Sequence, residues 1–319
     1  MNYVVFDLEW NQSPDGKKYA DSRLPFEIIE IGAVKLNEKK EVTDTFHRLI
    51  RPQVYNWIHN SIHEVIHVDY QDLAQGTPFP QAAREFIEWC GSDWYFFTWG
   101  NQDVMELQRN MKYYKQLDLL PGPVTYFDVQ KLFSVSFEDG ISRRSLEYAI
   151  DYLNIDKSHG FHRALEDARF TAEIVKKIDD RILPANASLD VYQNPKSRKE
   201  EIHISYPDHD KYVSREFPTR EKAMKDREVT STRCPICHLN DKRKIRWFMN
   251  NSKVFYSVSI CHEHGYIIGK IRLRKTEDNL CYAIKTLKPV SEKEAEEIRE
   301  KREALRQKRH LKRKSEKEV

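Results

Sequence analysis

The chain has 319 residues, of which 39% are hydrophobic and 12% aromatic, and a formal net charge of +3. This composition excludes a wholly disordered chain, and the length suggests about two domains. We find no apolar run of the ~18 residues that a membrane span needs, no signal-peptide pattern and no disulfide framework among the five cysteines, so we expect a cytoplasmic protein that does not bind membranes.

The charge is unevenly distributed along the chain. Residues 1–185 carry 21 basic and 29 acidic side chains, whereas residues 186–319 carry 32 and 21. An acidic region can collect metal ions and a basic region can hold a polyanion. Chance differences between solvated surfaces would explain the same numbers, so charge alone only suggests two regions with different roles.

Strand and helix patterns alternate over residues 1–185. Runs rich in β-branched and aromatic residues predict strands at 3–10, 26–36 and about 42–50. Helical spacing then appears in four segments around a buried strand near 95–100: residues 79–89, 103–115, 146–153 and 164–178. This order predicts an α/β domain, with a mixed sheet flanked by helices.

The remaining residues divide into three segments. Residues 186–200 are polar and are predicted to be a linker, and residues 201–290 show short strand patterns around a cysteine cluster. Residues 291–319 are predicted to form a basic, charged helix or tail. This helix would begin with a capping box, in which Ser291 and Glu294 satisfy each other's backbone donors.

Two carboxylates interrupt the apolar pattern of the first strand. Asp7 and Glu9 are two residues apart, and because side chains alternate along a strand, both leave the same face. Like charges on one face of a central strand are costly unless they are neutralised, which a pair of divalent cations would do. An edge strand with two solvated carboxylates is the plainer interpretation of this short pattern.

Three further residues extend the pattern to other segments. His162 and Asp167 flank the start of a helix whose small apolar residues would let it lie close to a sheet. Asp103 begins a helix directly after a buried strand, at the kind of turn where α/β sheets place their sites. Each also has an ordinary interpretation: a histidine near a helix cap, a solvated helix charge and an N-cap aspartate.

Together these residues resemble the DEDDh branch of the DnaQ-like 3′–5′ exonuclease superfamily over roughly residues 3–180. The strand Glu27-Ile28-Ile29-Glu30-Ile31-Gly32 is most similar to the ERI-1-like group, whose members often act on RNA. At Trp10-Asn11 the chain departs from the many members that have threonine or serine there. Three motifs carry the resemblance: Phe6-Asp7-Leu8-Glu9-Trp10-Asn11, Trp99-Gly100-Asn101-Gln102-Asp103 and His162-Arg163-Ala164-Leu165-Glu166-Asp167-Ala168.

The resemblance implies a ribonuclease H-like fold and two-metal hydrolysis of phosphodiester bonds at the 3′ end of RNA or single-stranded DNA, releasing 5′-mononucleotides. In this family His162 would be the general base. Leu8 and Trp10 would border the 3′-terminal nucleotide. Four carboxylates would hold two Mg²⁺ or Mn²⁺ ions, for which hard oxygen ligands are suited: Asp7, Glu9, Asp103 and Asp167.

Three other residues are given structural roles. Asp128 lies at a strand-to-helix step, where the family commonly has an aspartate, and we expect it to cap the helix. Glu30 lies on a strand near the site and is expected beside the core. Cys90 lies on an apolar helix face and is expected within the core.

The cysteine cluster predicts a second metal site. A C-x₂-C pair is followed by a C-x₂-H pair, and two such pairs separated by hairpin-like strands are typical of a structural Zn²⁺ site that supports folding. Reduced, buried cysteines are the alternative. His262 and Cys281 are weaker candidates for the fourth ligand. The ligands that we assign are Cys234, Cys237, Cys261 and His264.

Basic and aromatic residues alternate around this cluster, in 242–248, 253–256 and 270–275. Because aromatic rings stack on bases and cations meet phosphates, the pattern indicates a platform for single-stranded nucleic acid. The alternative places the aromatic rings in the core of a small zinc domain. The predicted function is a 3′–5′ exonuclease with a basic zinc domain; the alternatives are a non-catalytic nucleic-acid-binding protein with a vestigial nuclease domain, and a basic domain that docks proteins.

Overall fold

The computed structural model describes residues 2–13, 18–55, 70–157 and 162–315. The chain divides into two compact units, Met1–Gln193 and Asn194–Val319. The boundary falls inside the segment 186–200 that the sequence predicts as a linker. No helix within the described residues is both long and apolar enough to span a membrane.

The described part of the first unit contains six strands: β1 (Asn2–Asn11), β2 (Glu27–Leu36), β3 (Val42–Leu49), β4 (Trp94–Thr98), β5 (Val124–Asp128) and β6 (Ser188–Asp190). They form one sheet in the order β3-β2-β1-β4-β5-β6. β1 pairs antiparallel with β2 and parallel with β4, so the sheet is mixed and β1 lies inside it.

Helices pack on both faces of this sheet. Those in the described part of the unit are α1 (Tyr70–Ala74), α2 (Phe79–Cys90), α3 (Gln102–Tyr113), α4 (Val129–Phe137), α5 (Leu146–Tyr152), α6 (Ala164–Lys177) and α7 (Leu183–Asn186). The buried apolar residues form two clusters. One contains residues of α2 and α3, and the other contains residues of α4, α5 and α6. The predicted α/β domain, with a mixed sheet between helices, is confirmed.

The apolar sequence of β1 explains its inside position. Val4 and Phe6 belong to the cluster with α2 and α3, whereas Tyr3 and Val5 belong to the cluster with α6. All four are at most 4% exposed. A strand that is buried on both faces needs apolar residues at every position, because its side chains alternate between the two faces.

The second unit is built on an antiparallel sheet in the order β7-β8-β12-β11-β10-β9. Its described strands are β7 (Ile202–Ser205), β8 (Asp210–Val213), β9 (Lys242–Met249), β10 (Val254–Cys261), β11 (Gly265–Lys275) and β12 (Cys281–Val290). Its helices are α8 (Arg220–Lys225), α9 (Arg227–Thr230) and α10 (Glu292–Ser315). The predicted β-rich fold and charged C-terminal helix are therefore present.

The two faces of this second sheet are covered by different helices. Ala223 of α8 and Val229 of α9 lie in one buried cluster, and Ala295 and Ile298 of α10 lie in another. α10 begins at the predicted capping box: the backbone N–H of Ser291 donates to Glu294 Oε2 at 2.9 Å, and the N–H of Glu294 donates to Ser291 Oγ at 3.3 Å.

Candidate active site and cysteine cluster

Asp7 and Glu9 occupy the face of β1 that contacts α6. They continue the positions of Tyr3 and Val5, which pack in the cluster containing α6, because side chains on a strand alternate. Asp7 lies opposite Gly32 of β2, and Glu9 lies opposite Glu30. The two carboxylates therefore sit side by side beneath the start of α6.

Gly32 allows α6 to approach the sheet closely. A Cβ atom at this position would lie 2.0 Å from the backbone nitrogen of Leu165 and 2.2 Å from the carbonyl carbon of Ala164. Only glycine fits under the first turn of the helix, and that turn also carries Asp167. Carboxylate oxygens of Asp7, Glu9 and Asp167 accordingly all lie within 4.8 Å of one another.

Asp103 completes the acidic cluster from the other side of β1. It lies in the first turn of α3, after β4, and is 5% exposed. Its carboxylate accepts a hydrogen bond from the backbone N–H of Leu8, the residue between Asp7 and Glu9. This hydrogen bond holds the side chain of Asp103 against β1. The structure thus brings Asp7, Glu9 and Asp167 into one cluster and places Asp103 near enough for its charge to act on Asp7.

Burial is the largest cause that raises the pKa of each of these four carboxyl groups. For Asp7 burial is the largest cause, and the charges of Asp103, Glu9 and Asp167 add to it. Burial, followed by the charge of Asp167, raises the pKa of Glu9 to about 8. Burial raises the pKa of Asp103 to about 7 and that of Asp167 to about 6. Carboxylates in such an arrangement need positive charge if all are to ionise near neutral pH.

A divalent cation fits this set of donors. Oδ1 of Asp167 is buried, and no group among the described residues donates a hydrogen bond to it. Asp167 also belongs to the three-carboxylate cluster. Hard carboxylate oxygens are the ligands that Mg²⁺ and Mn²⁺ prefer. A bound cation would satisfy the buried oxygen and supply the positive charge that these buried carboxylates need in order to ionise.

His162 lies at the edge of the cluster. Its side chain is exposed, and its backbone N–H donates to the carboxylate of Asp167. Its φ of 68° is in the left-handed region, which is uncommon for a residue other than glycine and recurs at functional sites. This conformation places the imidazole beside Asp167 and open to solvent.

Leu8 and Trp10, predicted to border the nucleotide, differ in exposure. Leu8 is 3% exposed and packs in the cluster with α2 and α3, on the face opposite the carboxylates, so only its backbone faces the site. Trp10 is half-buried against Phe26, with ring centroids 5.8 Å apart. The β1–β2 register shifts after Glu9, so that Trp10 lies opposite Ile28.

Glu30 has a more specific environment than the sequence suggested. It is 1% exposed and lies opposite Glu9. Arg163 Nε donates to Glu30 Oε2 at 3.1 Å, and His47 Nε2 lies 2.7 Å from Glu30 Oε1. Burial alone would raise the pKa of Glu30, but its hydrogen bonds with His47 and Arg163 hold it below its ordinary value. The ion pair between Arg163 and Glu30 thus connects the residue directly after His162 to β2.

The two other structural assignments are confirmed. Asp128 caps α4: its Oδ1 accepts the backbone N–H of Lys131 at 2.9 Å. Cys90 is 1% exposed in the core cluster with α2, and burial raises the pKa of its thiol to about 12. Neither residue contributes to the acidic cluster.

The four predicted zinc ligands converge in the second unit. Cys234 Sγ lies 3.5 Å from His264 Nδ1, and Cys261 Sγ lies 3.6 Å both from Cys237 Sγ and from His264 Nδ1. Ligand atoms of all four lie within 4.8 Å of one another. Neither of the weaker candidates belongs to this cluster: His262 is exposed, and Cys281 is 3% exposed in the cluster with α8.

Both ligand pairs share one turn geometry. Each pair is followed by a residue with left-handed φ, His238 at 58° and Gly265 at 76°. The thiol of Cys234 accepts backbone N–H groups of Ile236 and Cys237, although burial raises its pKa to about 11. The N–H groups of His264 and Glu263 lower the pKa of Cys261 to about 7. Thiolate donors with an imidazole are the set that Zn²⁺ prefers.

The aromatic residues near the cysteine cluster are divided between the two faces of the second sheet. Trp247 and Phe255 pack against the cluster with α8 and α9, and the indole N–H of Trp247 donates to the carbonyl of Thr230 at 2.9 Å. Phe248 and Tyr256 pack against the cluster with α10. All four are half-buried, so each contributes to a small core and keeps part of its surface accessible.

Residues 4–175, more than half of the chain, match the protein family described as Exonuclease. The chain belongs to this exonuclease family. This membership confirms the prediction of an exonuclease and places the chain among nucleases.

Among curated proteins, the chain is similar to two PolC-type DNA polymerases III. It is 28% identical to the enzyme of Caldanaerobacter subterraneus, over 56% of this chain and 12% of that protein. It is 30% identical to the enzyme of Clostridium perfringens, over 54% of this chain and 11% of that protein. The match thus spans about an eighth of these relatives. It is also 26% identical to DNA polymerase III subunit epsilon of Aquifex aeolicus, over 55% of this chain and 79% of that protein.

Two solved structures illustrate the structural likeness. The nuclease domain of 3′hExo, described as a DEDDh family member bound to rAMP, is 21% identical, with 57% of this chain and 91% of that chain covered and a TM-score of 0.48. Exonuclease I is 14% identical, with 57% of this chain and 42% of that chain covered and a TM-score of 0.46.

Proposed function

We propose that the first unit is a 3′–5′ exonuclease that removes nucleotides from the 3′ end of RNA or single-stranded DNA and releases 5′-mononucleotides. The observation that carries this proposal is the convergence of Asp7, Glu9 and Asp167 within 4.8 Å, in a chain of the exonuclease family. Asp103, anchored to the backbone of Leu8, adds a fourth carboxylate.

The four carboxylates would hold two Mg²⁺ or Mn²⁺ ions. When bound, such ions supply positive charge that stabilises the attacking and leaving oxygens of the phosphodiester. The charges of the other three carboxylates all act on Asp7, so Asp7 would be one of the residues that hold the ions. Oδ1 of Asp167 is buried and accepts no hydrogen bond from the described residues, so it is available to bind a cation.

His162 would take the proton from the attacking water. A water oxygen forms a bond to the phosphorus of the last nucleotide, and the bond from that phosphorus to the 3′ oxygen of the preceding nucleotide breaks. The products are a 5′-mononucleotide and a shortened strand with a 3′-hydroxyl. An exposed imidazole beside Asp167 suits this role, because histidine is the side chain that most often serves as a general base.

In the second unit we propose one structural Zn²⁺ held by Cys234, Cys237, Cys261 and His264. The short distances between their sulfur and nitrogen atoms and the matching turns after each pair support this assignment. Four protein ligands leave no position for water, so the ion would stabilise the fold and take no part in hydrolysis.

Shortening of 5′-labelled RNA and DNA oligonucleotides of matched sequence tests the exonuclease. We expect a ladder shortening from the 3′ end that requires Mg²⁺ or Mn²⁺, and Asp7→Ala and Asp167→Asn each to lower the rate at least about 100-fold. Asp118→Asn, at an exposed carboxylate outside the cluster, is the matched control. Binding without any shortening would favour the alternative of a vestigial nuclease domain.

A further inference from the structure

A groove of about 460 Å³ lies beside α10 in the second unit. One wall is the hairpin of β9 and β10, including the Asn250–Ser252 turn, and the other wall is the later part of α10. Its volume is within the range of about 300–1,000 Å³ typical of ligand sites. The lining residues that matter here are Phe248, Asn251, Tyr256, Lys301, Leu305 and Lys308.

The groove opens where α10 stops packing on the sheet. Ala295 and Ile298 are buried in one cluster with Ile245 and Val258. Beyond Ile298, none of the described side chains of α10 is buried. Residues 299–308 of the helix therefore present no buried face, and this leaves accessible the aromatic residues next to that part of the sheet.

Two aromatic rings form the apolar part of the groove. Phe248 and Tyr256 lie opposite each other on β9 and β10, with ring centroids 6.3 Å apart and ring planes inclined by 37°. Both are half-buried. Their positions are fixed by the hairpin, so their exposed surfaces offer rigid faces on which a flat ring can stack.

The opposite wall is cationic. Lys301 and Lys308 are both exposed, and seven residues of helix place them on one face about 10 Å apart. The segment 299–315 contains nine basic residues and two acidic ones, so the positive charge extends along the helix past the groove. Asn251, exposed in the hairpin turn, adds an amide donor and acceptor at the rim.

We propose that this groove binds unpaired nucleotides of a single-stranded nucleic acid. Bases stack on Phe248 and Tyr256, the amide of Asn251 bonds to a base edge, and Lys301 and Lys308 bind phosphates. Aromatic faces next to lysines are the pairing that single-strand binding uses, whereas an acidic peptide would need only the lysines. This inference concerns binding by the second unit and does not depend on hydrolysis by the first.

Fluorescence anisotropy with a 5′-labelled 12-nucleotide oligouridylate tests the site in the full chain. The Asp7→Ala background, without added Mg²⁺ or Mn²⁺, keeps the probe intact. We expect Lys301→Glu/Lys308→Glu to weaken binding at least about tenfold and to lower the slope of log Kd against log salt by about two. Tyr256→Leu keeps an apolar side chain and should weaken binding about fivefold or more with an unchanged slope.

The matched control is Lys222→Glu/Lys225→Glu. These lysines are exposed on α8, which packs on the opposite face of the sheet, and the substitution makes the same change in net charge. We expect the control to keep most of the affinity. If both double variants bind equally well, or if an oligonucleotide duplex binds as tightly as the single strand, the proposal is wrong.

Crosslinking identifies the residues that contact the oligonucleotide directly. Because it needs no substitution in the groove, a folding defect cannot produce the expected result. An oligonucleotide carrying 5-iodouracil should crosslink to Phe248 or Tyr256 on irradiation, and digestion followed by mass spectrometry identifies the peptide. Crosslinks confined to other peptides would also contradict the site, whatever the binding data show.

Discussion

At the scale of single residues, the acidic cluster depends on pH. The pKa values of Glu9, Asp103 and Asp167 are raised to about 8, about 7 and about 6. In the unfolded chain such groups titrate near pH ~4. Between these limits the folded chain binds more protons than the unfolded chain, so the contribution of these groups to stability falls as pH rises from about 4 to about 8.

We therefore predict that Mn²⁺ stabilises the protein more at pH 8 than at pH 6. At the higher pH the carboxylates repel one another and few protons compete with the ion, so the ion both binds more tightly and relieves more repulsion. The measurement is the melting temperature of the full chain at each pH, with and without Mn²⁺. An equal increase at both pH values would count against the cluster as a cation site.

Asp7→Asn supplies the control for this experiment. It removes the central charge at constant size, so the metal-free variant should be more stable than wild type at pH 8, by about 1 kcal/mol or 2–4 °C for a domain of this size. It should also lose the pH-dependent response to Mn²⁺. A variant that retains this response would show that the ion acts elsewhere.

Sequence reasoning found the carboxylates but not the partners of Glu30. Local patterns in the sequence mark each of these features. They are the acidic pair Asp7 and Glu9 on one strand, Asp103 at a strand-to-helix turn, and His162 near the start of a helix. The Glu30–Arg163 pair joins residues 133 positions apart, and the Glu30–His47 contact spans two strands. Such contacts depend on sheet register and on the docking of α6, which no local pattern contains.

At the scale of elements, the contact of α6 with β2 positions Asp167. We predict that Gly32→Ala displaces the first turn of α6, because the added methyl group would overlap backbone atoms of Ala164 and Leu165 that cannot rotate away. The expected loss of stability is about 1–3 kcal/mol, and a shift of about 1 Å in Asp167 would lower nuclease activity about 100-fold.

Urea unfolding and the exonuclease assay measure the two effects of Gly32→Ala separately. Far-ultraviolet circular dichroism should show that the variant retains its secondary structure. Wild-type activity together with wild-type stability would mean that α6 tolerates a larger spacing, and the role given to Gly32 would be incorrect.

The two cysteine-containing turns allow a prediction with an internal control. Cys237→Ser should abolish stoichiometric zinc in the purified protein and lower the melting temperature of the second unit, since a structural ion contributes its binding energy to folding. Cys281→Ser should retain zinc, because Cys281 is buried in the cluster with α8, outside the set of four ligands. Elemental analysis checks both; zinc retained in Cys237→Ser would exclude the proposed ligand set.

The strands of the two units differed in how well the sequence marked them. β1 and β2 are mostly apolar and were predicted to within one or two residues. β9–β12 were expected to be short, yet β11 and β12 have 11 and 10 residues. The later part of β11 carries exposed basic side chains, whereas its earlier part contains the buried Ile267, Gly269 and Ile271. Gly269 supplies no side chain to the apolar pattern of the strand, and Trp247 packs against it. A half-exposed antiparallel strand therefore gave a weaker signal than a fully buried one.

At the scale of the whole molecule, charge separates the two units more clearly than hydrophobicity does. Residues 1–193 have a net charge of −9 and residues 194–319 one of +12. Each unit has its own buried clusters. A carboxylate-rich unit would repel the polyanionic substrate that we propose for it, so we expect the basic unit to supply the affinity for nucleic acid.

We predict that a chain ending at Gln193 keeps the chemistry but loses affinity. Its kcat at saturating substrate should stay within about twofold of the full chain, whereas its KM for a single-stranded oligonucleotide should rise at least about tenfold at physiological salt. The KM of the shortened chain should also depend less on salt, because fewer phosphate contacts release fewer counterions. Steady-state kinetics of both chains at several salt concentrations measure all three quantities. An unchanged KM with an unchanged salt dependence would show that the acidic unit binds its substrate without help, and the basic unit would then need a different role, such as docking a protein.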